Sequence, residues 1–558
     1  MKMLNAETLK NMLLSGANNL YNKYPEIDAL NVFPVPDGDT GMNMNLTMSS
    51  GAKEIINRND DNAYTIATLF SKGLLMGARG NSGVITSQIF RGFAISLENK
   101  RELNVIDFAE AFVSGSQVAY KAVMRPVEGT ILTVIRESSS TLNDRVKPDM
   151  TIERAMDILL NEAEASLKRT PDLLPVLKEV GVVDSGGAGL VTILEGMKSA
   201  LHGVVIEKIG ATSMDEKPAV RRNIQSEIEA EDAFGYCTEF IMRLGPTEEK
   251  KVFNENRFKS VLESRGNSIV VVRDDDIVKV HIHTLTPGDI LSYAQNYGEF
   301  VTLKIENMTE QHTKLKQGAD QEASNNKSQE EEMPSGPKKD FGMLAISAGV
   351  GIDELFKELG VDEIVSGGQT MNPSTEDIVS KVKKINAKTV LIFPNNSNII
   401  LAATQAKDVL AGIKEVEIIP SKTIPQGINA VSSFNPDASL TENVEEMTDA
   451  ISRIKSGSVT NAIKDTSIDG VDIKKDEFMS ILDKTIIDCK PDKVDALYRL
   501  FDEMIDEDSY LLTLLIGQDV TNEEEEMIRK HIEETYPEIE TEIRRGDQPV
   551  YFFLLGVE

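Results

Sequence analysis

Apolar residues recur at helical spacing through the first 200 positions of the chain. The segments whose period is close to 3.6 residues are Leu9–Leu20, Ile66–Met76, Val84–Leu97, Phe108–Val123, Ile131–Leu142 and Ile152–Leu167. Glycine-rich turns separate these segments, and no alternating strand pattern lies between them. The pattern predicts an all-helical domain over residues 1–202, arranged as an eight-helix bundle or barrel.

The hydrophobic period changes after residues 203–226, which mix charged and turn residues and are predicted to form a connector. In residues 227–311 the predicted segments are Phe234–Leu244, Val252–Ser264, Ser268–Arg273, Ile277–Thr284, a helix opened by Pro287, and Glu299–Glu306. Their order is strand, helix, strand, strand, helix, strand. This order predicts a ferredoxin-like α+β middle domain.

Residues 312–340 contain no Ile, Val, Phe or Tyr. Because such a segment cannot bury enough apolar surface to fold, this composition predicts a flexible acidic linker. In residues 341–558 strands alternate with helices. The predicted strands are Met343–Ser347, Thr389–Pro394, Val416–Pro420, Tyr510–Gly517 and Val550–Leu555. The alternation predicts a C-terminal α/β domain with a largely parallel sheet, so the whole chain is expected to be a multidomain α and α/β protein.

The charge balance of the 558-residue chain narrows the classes of ligand. Lys and Arg number 59 and Asp and Glu number 90, which gives a net charge of −31. Such a surface excludes sequence-independent nucleic-acid binding and docking on anionic lipid. The chain has no Trp and only 5% aromatic residues, which argues against a base-stacking platform. A phosphate-bearing ligand must therefore be held locally, by a metal ion, backbone N–H groups or a few cations.

The apolar stretches are all shorter than the roughly 18 residues that a membrane span requires. Only two cysteines are present in the whole chain, and this scarcity is typical of a reducing compartment. We expect a cytoplasmic protein without stable membrane insertion. We also expect a homodimer, as is common for multidomain chains with acidic linkers.

The segment from Asn31 to Asn45 carries the most informative chemistry, because Asp37 and Asp39 flank a single glycine in a turn set up by two prolines. Carboxylate oxygens held this close together suit Mg²⁺, which often shares its coordination with substrate phosphates. A helix is predicted to start near Thr40, and its free N–H groups would add an anion-binding element. The alternative is an ordinary Pro/Gly/Asp turn.

Three further glycine-marked turns open predicted helices in the same domain. They are Arg79–Gly83, Arg125–Thr130 and Asp184–Gly189. Each lets the backbone approach a phosphate with a helix dipole behind it, and each is equally consistent with a simple helix cap. Four such turns in one helical domain, one of them with paired carboxylates, exceed what capping requires. None of them matches the sequence of a P-loop.

These motifs resemble the nucleotide-binding lobe of dihydroxyacetone kinases, an eight-helix barrel that binds ATP through Mg²⁺. The resemblance covers residues 1 to about 200 and rests on Asp-Gly-Asp-x-Gly-x-Asn-Met, Gly-Asn-Ser-Gly, Arg-Pro-x-x-Gly-Thr and Asp-x-Gly in that order. The whole chain is similar to the family of kinase subunits of bacterial fatty-acid kinases. In that family the lobe is followed by a middle domain and by a C-terminal domain similar to the fatty-acid-binding partner protein.

The resemblance implies roles for individual residues. Asp37 and Asp39 would be the catalytic Mg²⁺ ligands, and the third metal position falls near Asn31, a neutral ligand. The residues implied to meet the phosphates are Thr40, Gly41, Met42, Asn43, Asn81 and Ser82. Those implied to line the rest of the nucleotide site are Gly129, Thr130, Asp184, Ser185 and Gly186, and Arg169 corresponds to the arginine of the nucleotide pocket.

The implied activity is the ATP- and Mg²⁺-dependent phosphorylation of a fatty acid carried by a separate fatty-acid-binding protein, giving acyl phosphate for phospholipid synthesis. Residues 1–201 contain neither His nor Cys, and an acyl carboxylate is already ionised at neutral pH, so its attack needs no general base. One alternative is a dihydroxyacetone (glycerone) kinase, whose second lobe uses a histidine; here the only histidine after the linker is His531. The other alternative is a regulatory adaptor that retains bound nucleotide.

Two further sets of residues are candidates for binding. Cys237, His281 and His283 in the middle domain are a possible Zn²⁺ ligand set, with Glu239, another acidic group or water as the fourth ligand. Histidines on a strand are often merely structural, but the family resemblance implies such a trio, and we expect structural zinc. In the C-terminal domain, small polar residues fill the loops 366–375, 394–398 and 423–427. We expect these loops to serve partner docking or self-association rather than catalysis.

Overall fold

The computed structural model describes residues 1–31, 38–123, 125–209, 236–245, 253, 255–263, 265, 267–274, 277–284, 286–307, 338–368, 372–462, 465–468 and 470–558. The chain forms two compact units. One joins Met1–Ala211 with Met333–Glu558, and the other is Thr212–Glu332. Asp37 of the predicted metal site and most of the predicted linker lie outside the described residues.

The N-terminal region is helical, as predicted. Within its described residues the helices are α1 Ala6–Asp28, α2 Thr40–Ile55, α3 Ala63–Gly77, α4 Gly80–Ser96, α5 Val105–Ala122, α6 Ile131–Arg145, α7 Ile152–Leu173, α8 Pro175–Val180 and α9 Ser185–Leu201. One short antiparallel pair, β1 (Met3–Leu4) and β2 (Leu103–Asn104), was not predicted. The eight-helix barrel remains a prediction.

Side chains at the predicted helical spacing form the core of this region. Phe70, Phe93, Phe108 and Phe112 are fully buried, and Phe93 meets Phe112 edge to face. Glycines bring the helix backbones close together. At Gly196, for example, a Cβ would lie 2.5 Å from the Ser15 carbonyl oxygen, so α9 packs on α1 without an intervening side chain. Asparagine and threonine side chains cap several of these helices in the expected way.

The second unit contains the middle domain. Its elements are β3 Tyr236–Leu244, α10 Glu255–Glu263, β4 Asn267–Asp274, β5 Ile277–Thr284, α11 Pro287–Ala294 and β6 Gly298–Asn307. The strands form one antiparallel sheet in the order β4-β5-β3-β6. The order of elements along the chain is the predicted one, and the ferredoxin-like assignment remains a prediction.

The C-terminal region begins with an α/β layer. Its elements are β7 Lys339–Ser347, α12 Val350–Glu358, β8 Glu363–Ser366, α13 Thr375–Lys384, β9 Ala387–Phe393, α14 Ile400–Leu410, β10 Glu415–Ile418, α15 Ile424–Ser432 and α16 Leu440–Arg453. The strands pair in parallel in the order β10-β9-β7-β8. Strand β7 starts two residues before the predicted domain boundary.

A second sheet completes this region. Its elements are β11 Lys455–Asn461, β12 Thr466–Ile468, β13 Val471–Ile473, β14 Phe478–Leu482, β15 Thr485–Lys490, α17 Lys493–Met504, β16 Leu511–Ile516, α18 Asn522–Thr535, β17 Glu540–Arg545 and β18 Tyr551–Val557. The six-stranded sheet has the order β15-β14-β11-β18-β16-β17, and among its pairs only β16 and β17 are parallel.

The prediction of a largely parallel sheet is therefore right for the first layer and wrong for the second. The reason is visible at β14 and β15, which are separated only by Asp483 and Lys484. A two-residue connection can join antiparallel neighbours but not parallel ones, and Asp483 takes the left-handed φ of 52° that such turns require. Among the described residues no helix has the length and apolar character needed to cross a bilayer.

Candidate functional site

The first two glycine-marked turns lie side by side. The Ser82 hydroxyl at the start of α4 donates to the Thr40 carbonyl oxygen at the start of α2 over 3.3 Å. Two turns further along α2, the Thr47 hydroxyl lies where a Cβ at Gly83 would overlap it. The two helices are therefore close neighbours whose N-termini lie together.

The other two turns reach the same end of the domain. Asp184 is the N-cap of α9, and its carboxylate accepts from the Gly187 amide over 2.6 Å and from the amide of Ile131, the first residue of α6. Close to its start α9 also packs on α2, because a Cβ at Gly189 would lie 2.6 Å from the Met44 sulfur. The N-termini of α2, α4, α6 and α9 thus collect at one end of the helical domain.

We call this end the helix-start face, defined by Thr40–Asn43, Gly80–Gly83, Thr130–Ile131 and Asp184–Gly187. Each helix start carries partial positive charge from its aligned peptide dipoles. Four starts on one face favour an anionic ligand such as a polyphosphate. In a chain with a net charge of −31, this face is a local region suited to holding phosphate.

Asp39 is a buried carboxylate beside the first turn of α2 on this face. It is the N-cap residue of α2, but its side chain makes no capping bond to that helix. Instead it hydrogen-bonds to the side chain of Asn43 and accepts from Asn372 Nδ2 at 2.5 Å. Only 9% of Asp39 is exposed. Burial raises its pKa to about 6, and the two amide partners and the nearby charge of Asp28 shift that value less than burial does.

Asp28, the last residue of α1, is a second carboxylate at this face, and sequence reasoning missed it. Its Oδ1 accepts from the Met42 amide at 3.0 Å, and it also accepts from the Gly41 amide. Burial raises the pKa of Asp28. One signal was available in the sequence: an acidic residue in the last turn of a helix opposes the helix dipole and needs another reason to be there. Asn31, the predicted third metal position, follows closely, and its amide donates to the Asp28 carbonyl oxygen at 3.0 Å.

The Asp28 contacts engage two residues of the predicted phosphate site. The amides of Gly41 and Met42, predicted to meet phosphates, are both directed to the Asp28 carboxylate, so a phosphate there would compete with it. The lack of a side chain at Gly41 has a packing explanation as well, since a Cβ would overlap the Tyr24 carbonyl oxygen. Thr40 and Asn43 lie in the same turn, with Asn43 buried.

The second turn contributes Gly80, Asn81 and Ser82. Gly80 has a left-handed φ of 56°, and a Cβ there would lie 2.6 Å from Asn43 Nδ2, so both the backbone and the space require glycine. Asn81 Nδ2 donates to Asn398 Oδ1 of the C-terminal region at 3.0 Å. The structure therefore brings Asn81 and Ser82 to the same face as Asp39 and Asn43.

The remaining predicted residues shape the α6 and α9 side of the face. The Gly129 amide donates to the Thr133 hydroxyl at 2.8 Å, and the Thr130 hydroxyl donates to the Val127 carbonyl oxygen at 2.7 Å. Ser185 and Gly186 form the first turn of α9. Burial raises the pKa of Asp184 to about 6, against the lowering effect of the two amides that it accepts from.

Arg169, which the resemblance implies to be the arginine of the nucleotide pocket, is paired with two carboxylates. Its guanidinium donates to Glu137 at 2.6 Å and to Glu162 at 2.7 Å. These two carboxylates raise the pKa of Arg169 and hold its charge on the surface of α6 and α7. A nucleotide would have to compete with both glutamates for this side chain.

Residues 372–375 of the C-terminal region meet the helix-start face directly. Besides the Asn372–Asp39 bond, the Asn372 carbonyl oxygen accepts from Arg79 Nη1 at 2.8 Å, and the Thr375 amide donates to the Ala78 carbonyl oxygen at 3.2 Å. Arg79 and Ser374 form an isolated antiparallel bridge. Partner docking or self-association was predicted for residues 366–375, and their contact with Asp39 was not predicted.

A cavity of about 570 Å³ lies beside this loop, at the carboxyl ends of the parallel strands β7, β8 and β9. Its lining includes Ser366, Asn396, Lys422, Ser456 and Tyr551, and Asn81 of the helical domain contributes to its wall. The cavity and the helix-start face therefore share Asn81.

The predicted zinc residues lie in the second unit. In the sheet register Cys237 is paired with His283, and Glu239 is paired with His281. The side chains of these residues lie outside the described part of the structure. Within that part, no group of three or more His, Cys, Asp or Glu side chains is arranged to hold a metal ion.

Three family descriptions match successive parts of the chain. Residues 34–199 match the DAK2 domain, residues 233–315 match the middle domain of the FakA-like fatty acid kinase proteins, and residues 342–558 match their C-terminal domain. Protein YloV of Bacillus subtilis is 47% identical over 561 residues, which cover 100% of both chains. The chain belongs to the FakA-like family of fatty acid kinase proteins.

This family membership, with the DAK2 match, makes it a kinase-family protein of the dihydroxyacetone kinase nucleotide-binding group. An uncharacterized protein of Staphylococcus aureus strain USA300 is 44% identical to this family member, with coverage of 100% of this chain and 99% of the other. Relatives of the full length thus share all three parts.

Solved structures similar to parts of this kinase-family chain include the Streptococcus pneumoniae fatty acid kinase B3 protein loaded with linoleic acid. The identity is 12% and the TM-score 0.26, over 39% of this chain and 98% of that one. The dihydroxyacetone kinase of C. freundii is 19% identical with a TM-score of 0.26, over 34% of each chain. TM-scores this low do not define a shared fold.

Proposed function

We propose that this chain is an ATP- and Mg²⁺-dependent kinase that phosphorylates a fatty acid carried by a separate fatty-acid-binding protein, giving acyl phosphate for phospholipid synthesis. The observation that carries the proposal is the gathering of four helix N-termini on one face, with the buried carboxylate of Asp39 at the start of α2. Helix N-termini bind phosphate, and a carboxylate among them binds a divalent cation.

The donor set at this face fits Mg²⁺, which prefers hard oxygen ligands. Asp39 and Asp28 supply carboxylates at this face, and the Asp39 carboxylate is buried. Asp37 and Asp39 would hold the ion, with Asn31 close by. When bound, the ion supplies positive charge that offsets the charge of the transferring phosphoryl group.

The chain's own residues would bind and orient the nucleotide. The first turns of α2 and α4, with Thr40, Asn43, Asn81 and Ser82, would hold the phosphates in line with the acceptor oxygen. Asp184 fixes the starts of α6 and α9 relative to each other, so that Gly129, Thr130, Ser185 and Gly186 line the remainder of the site. The acceptor carboxylate is ionised at neutral pH, so no side chain has to remove a proton from it.

The test is an acyl-phosphate assay with ATP, Mg²⁺ and a fatty-acid-binding protein loaded with lipid. We expect product from the wild-type chain and none from Asp37→Ala/Asp39→Ala, while binding of the loaded protein persists in both. Asp149→Ala is the matched control, because Asp149 lies in an exposed turn. Full activity of the double variant would rule out the assigned site.

The nucleotide-binding group also includes dihydroxyacetone kinases, and the histidine arrangement argues against that activity here. The His531 ring stacks on Tyr498 with their centroids 3.8 Å apart, within the C-terminal region. A histidine held in this stack is poorly suited to binding a ketone covalently. Turnover of dihydroxyacetone by the purified chain with ATP alone would favour the ketone kinase instead.

A non-catalytic adaptor is the second alternative, and the contact between Asn372 and Asp39 is the observation that favours it, since this contact covers the carboxylate. If the wild-type chain with ATP, Mg²⁺ and loaded partner gives no acyl phosphate but still binds both, the adaptor assignment is the correct one.

We further propose that Cys237, His281 and His283 hold a structural Zn²⁺, and that the chain is a homodimer. The cross-strand pairing of Cys237 with His283, and of Glu239 with His281, supports the zinc assignment. Zinc content should fall in Cys237→Ala and in His281→Ala/His283→Ala, and unchanged zinc in all of them would remove the assignment. Sedimentation equilibrium measures the oligomeric state.

A further inference from the structure

The C-terminal region packs on the α2 and α4 side of the helix-start face through a packed set of contacts. The polar contacts besides those of Asn372 join Asn398 to Asn81, the Thr375 amide to Ala78, and Gln405 to Gln88, Ser87 and the Leu75 carbonyl oxygen. The apolar side chains of Ala78 and Val84 are buried in the same cluster as Leu344, Ile378 and Ala402 of the C-terminal region. Buried, satisfied polar groups next to shared apolar packing are typical of a specific interface.

Asn372 is the residue of this interface that bears on the site. Only 2% of it is exposed, and its Nδ2 donates to Asp39 Oδ2 at 2.5 Å. The side chain of Asn43 provides a second partner for the same carboxylate. The carboxylate that would bind a cation is therefore already hydrogen-bonded to two amide groups, and one of them, Asn372, belongs to the C-terminal region.

The contact is also poised to open. Asn372 Oδ1 is buried and, among the described residues, has no hydrogen-bond donor. A buried acceptor without a partner has lost its hydrogen bonds to water and gained none in return. The closed arrangement is therefore less stable than a fully paired one. Water would satisfy this oxygen once the loop leaves the face.

We infer that the C-terminal domain is an inhibitory lid on the kinase domain, in which Asn372 competes with the metal–nucleotide for Asp39. The closed lid keeps the helix-start face from the nucleotide and from any acceptor brought by another protein. When the lid opens, the helix-start face becomes accessible to the nucleotide and to the acceptor at the same time. This inference rests on the proposed function, because the lid matters only if Asp39 serves a metal–nucleotide site.

The first test locks the lid. Arg79 and Ser374 are bridge partners in an antiparallel arrangement, and such partners have Cα atoms close enough for a disulfide. Arg79→Cys/Ser374→Cys should bind a fluorescent, non-hydrolysable ATP analogue with Mg²⁺ at least tenfold more weakly when oxidised than when reduced. The two single-cysteine variants, oxidised in the same way, control for Cys237 and Cys489.

The outcomes separate the lid from the proposed function. Equal binding by the oxidised and reduced double variant overturns the lid while leaving the nucleotide site intact. No binding in either state, and none by the wild-type chain, overturns the proposed function itself.

The second test loosens the lid. Asn372→Ala should bind the analogue with Mg²⁺ about tenfold more tightly than wild type, a factor that corresponds to about 1.4 kcal/mol. Asn461→Ala, at an exposed asparagine of β11 outside this packed set of contacts, should bind as wild type does. Weaker binding by Asn372→Ala would mean that Asn372 is a metal ligand and would overturn the lid.

Hydrogen exchange gives a readout that does not depend on catalysis. The Thr375 amide is bonded to the Ala78 carbonyl oxygen in the closed arrangement and should be protected in the free chain. Addition of Mg²⁺ and the analogue should speed its exchange. Unchanged or stronger protection on binding would contradict the competition between lid and nucleotide.

Discussion

The carboxylate of Asp28 accepts a hydrogen bond from the amide of Met42, joining the end of α1 to the first turn of α2 at 3.0 Å. The loop between the two helices carries the predicted metal residues Asn31 and Asp37. Asp28 thus fixes the two ends of the segment on which the proposed cation site depends, and it places a second negative charge near Asp39.

Asp28→Ala should lower the free energy of unfolding by about 1 to 2 kcal/mol, because two amides at the start of α2 lose a charged acceptor. Asp28→Asn keeps an acceptor oxygen and should cost less than half as much. Chemical denaturation of both variants measures the difference. An alanine variant as stable as the asparagine variant would show that the bond does not hold the helices together.

The buried state of Asp39 predicts a pH dependence of stability. Its pKa is about 6 in the folded chain, against an ordinary value of 3.8. Protonated Asp39 is therefore favoured by folding, and its stabilising contribution is complete below about pH 4 and lost as the pH rises through about 6.

The side chain at position 39 cannot ionise in Asp39→Asn. This variant should therefore have a higher Tm than wild type at pH 7, and the difference in Tm should vanish near pH 4. Calorimetric scans across this range measure it, and Asp149→Asn, in an exposed turn, should follow wild type throughout. A Tm difference that does not vary with pH would contradict the burial argument.

Asp184 should contribute more to the free energy of unfolding than a residue that caps a single helix. Asp184→Ala removes the acceptor for Gly187 in α9 and for Ile131 in α6, and we expect a loss of about 2 kcal/mol. Asp184→Ser can still cap α9 but does not reach α6 as well, so its loss should be intermediate. Equal losses in the two variants, measured by denaturant unfolding, would mean that the link to α6 contributes nothing.

The helices and their glycine turns could be predicted because both signals are local. The helical spacing of apolar residues such as Phe108 and Phe112 predicts which face of a helix is buried. The glycine at position 80 indicates a backbone conformation with positive φ. The convergence of the four turns on one face follows from how the helices pack, which the turns themselves do not encode. The paired two-residue strands β1 and β2 are too short to produce any periodic signal.

The contact of Asn372 with Asp39 could not be predicted, because 333 positions separate the two residues and neither has a local signal for the other. Asp28 was missed for a different reason. It lies at the end of a helix whose pattern is read for its apolar face, and its partner amides belong to the next helix. The antiparallel second sheet was missed because short strands in an α/β context were assumed to pair in parallel.

Gly41 provides a test of whether glycine at the helix-start face serves packing. A Cβ at this position would overlap the Tyr24 carbonyl oxygen, which is backbone and cannot rotate away, so α1 and α2 would have to separate. Gly41→Ala should therefore destabilise the helical domain by about 1 to 3 kcal/mol, although alanine is the better helix former. Thr40→Ala, one residue earlier in the same turn, is the matched control and should change stability by less than about 1 kcal/mol. A Gly41→Ala variant as stable as wild type in denaturant unfolding would show that the two helices can part without cost, and the glycine would then have to be explained by its approach to phosphate.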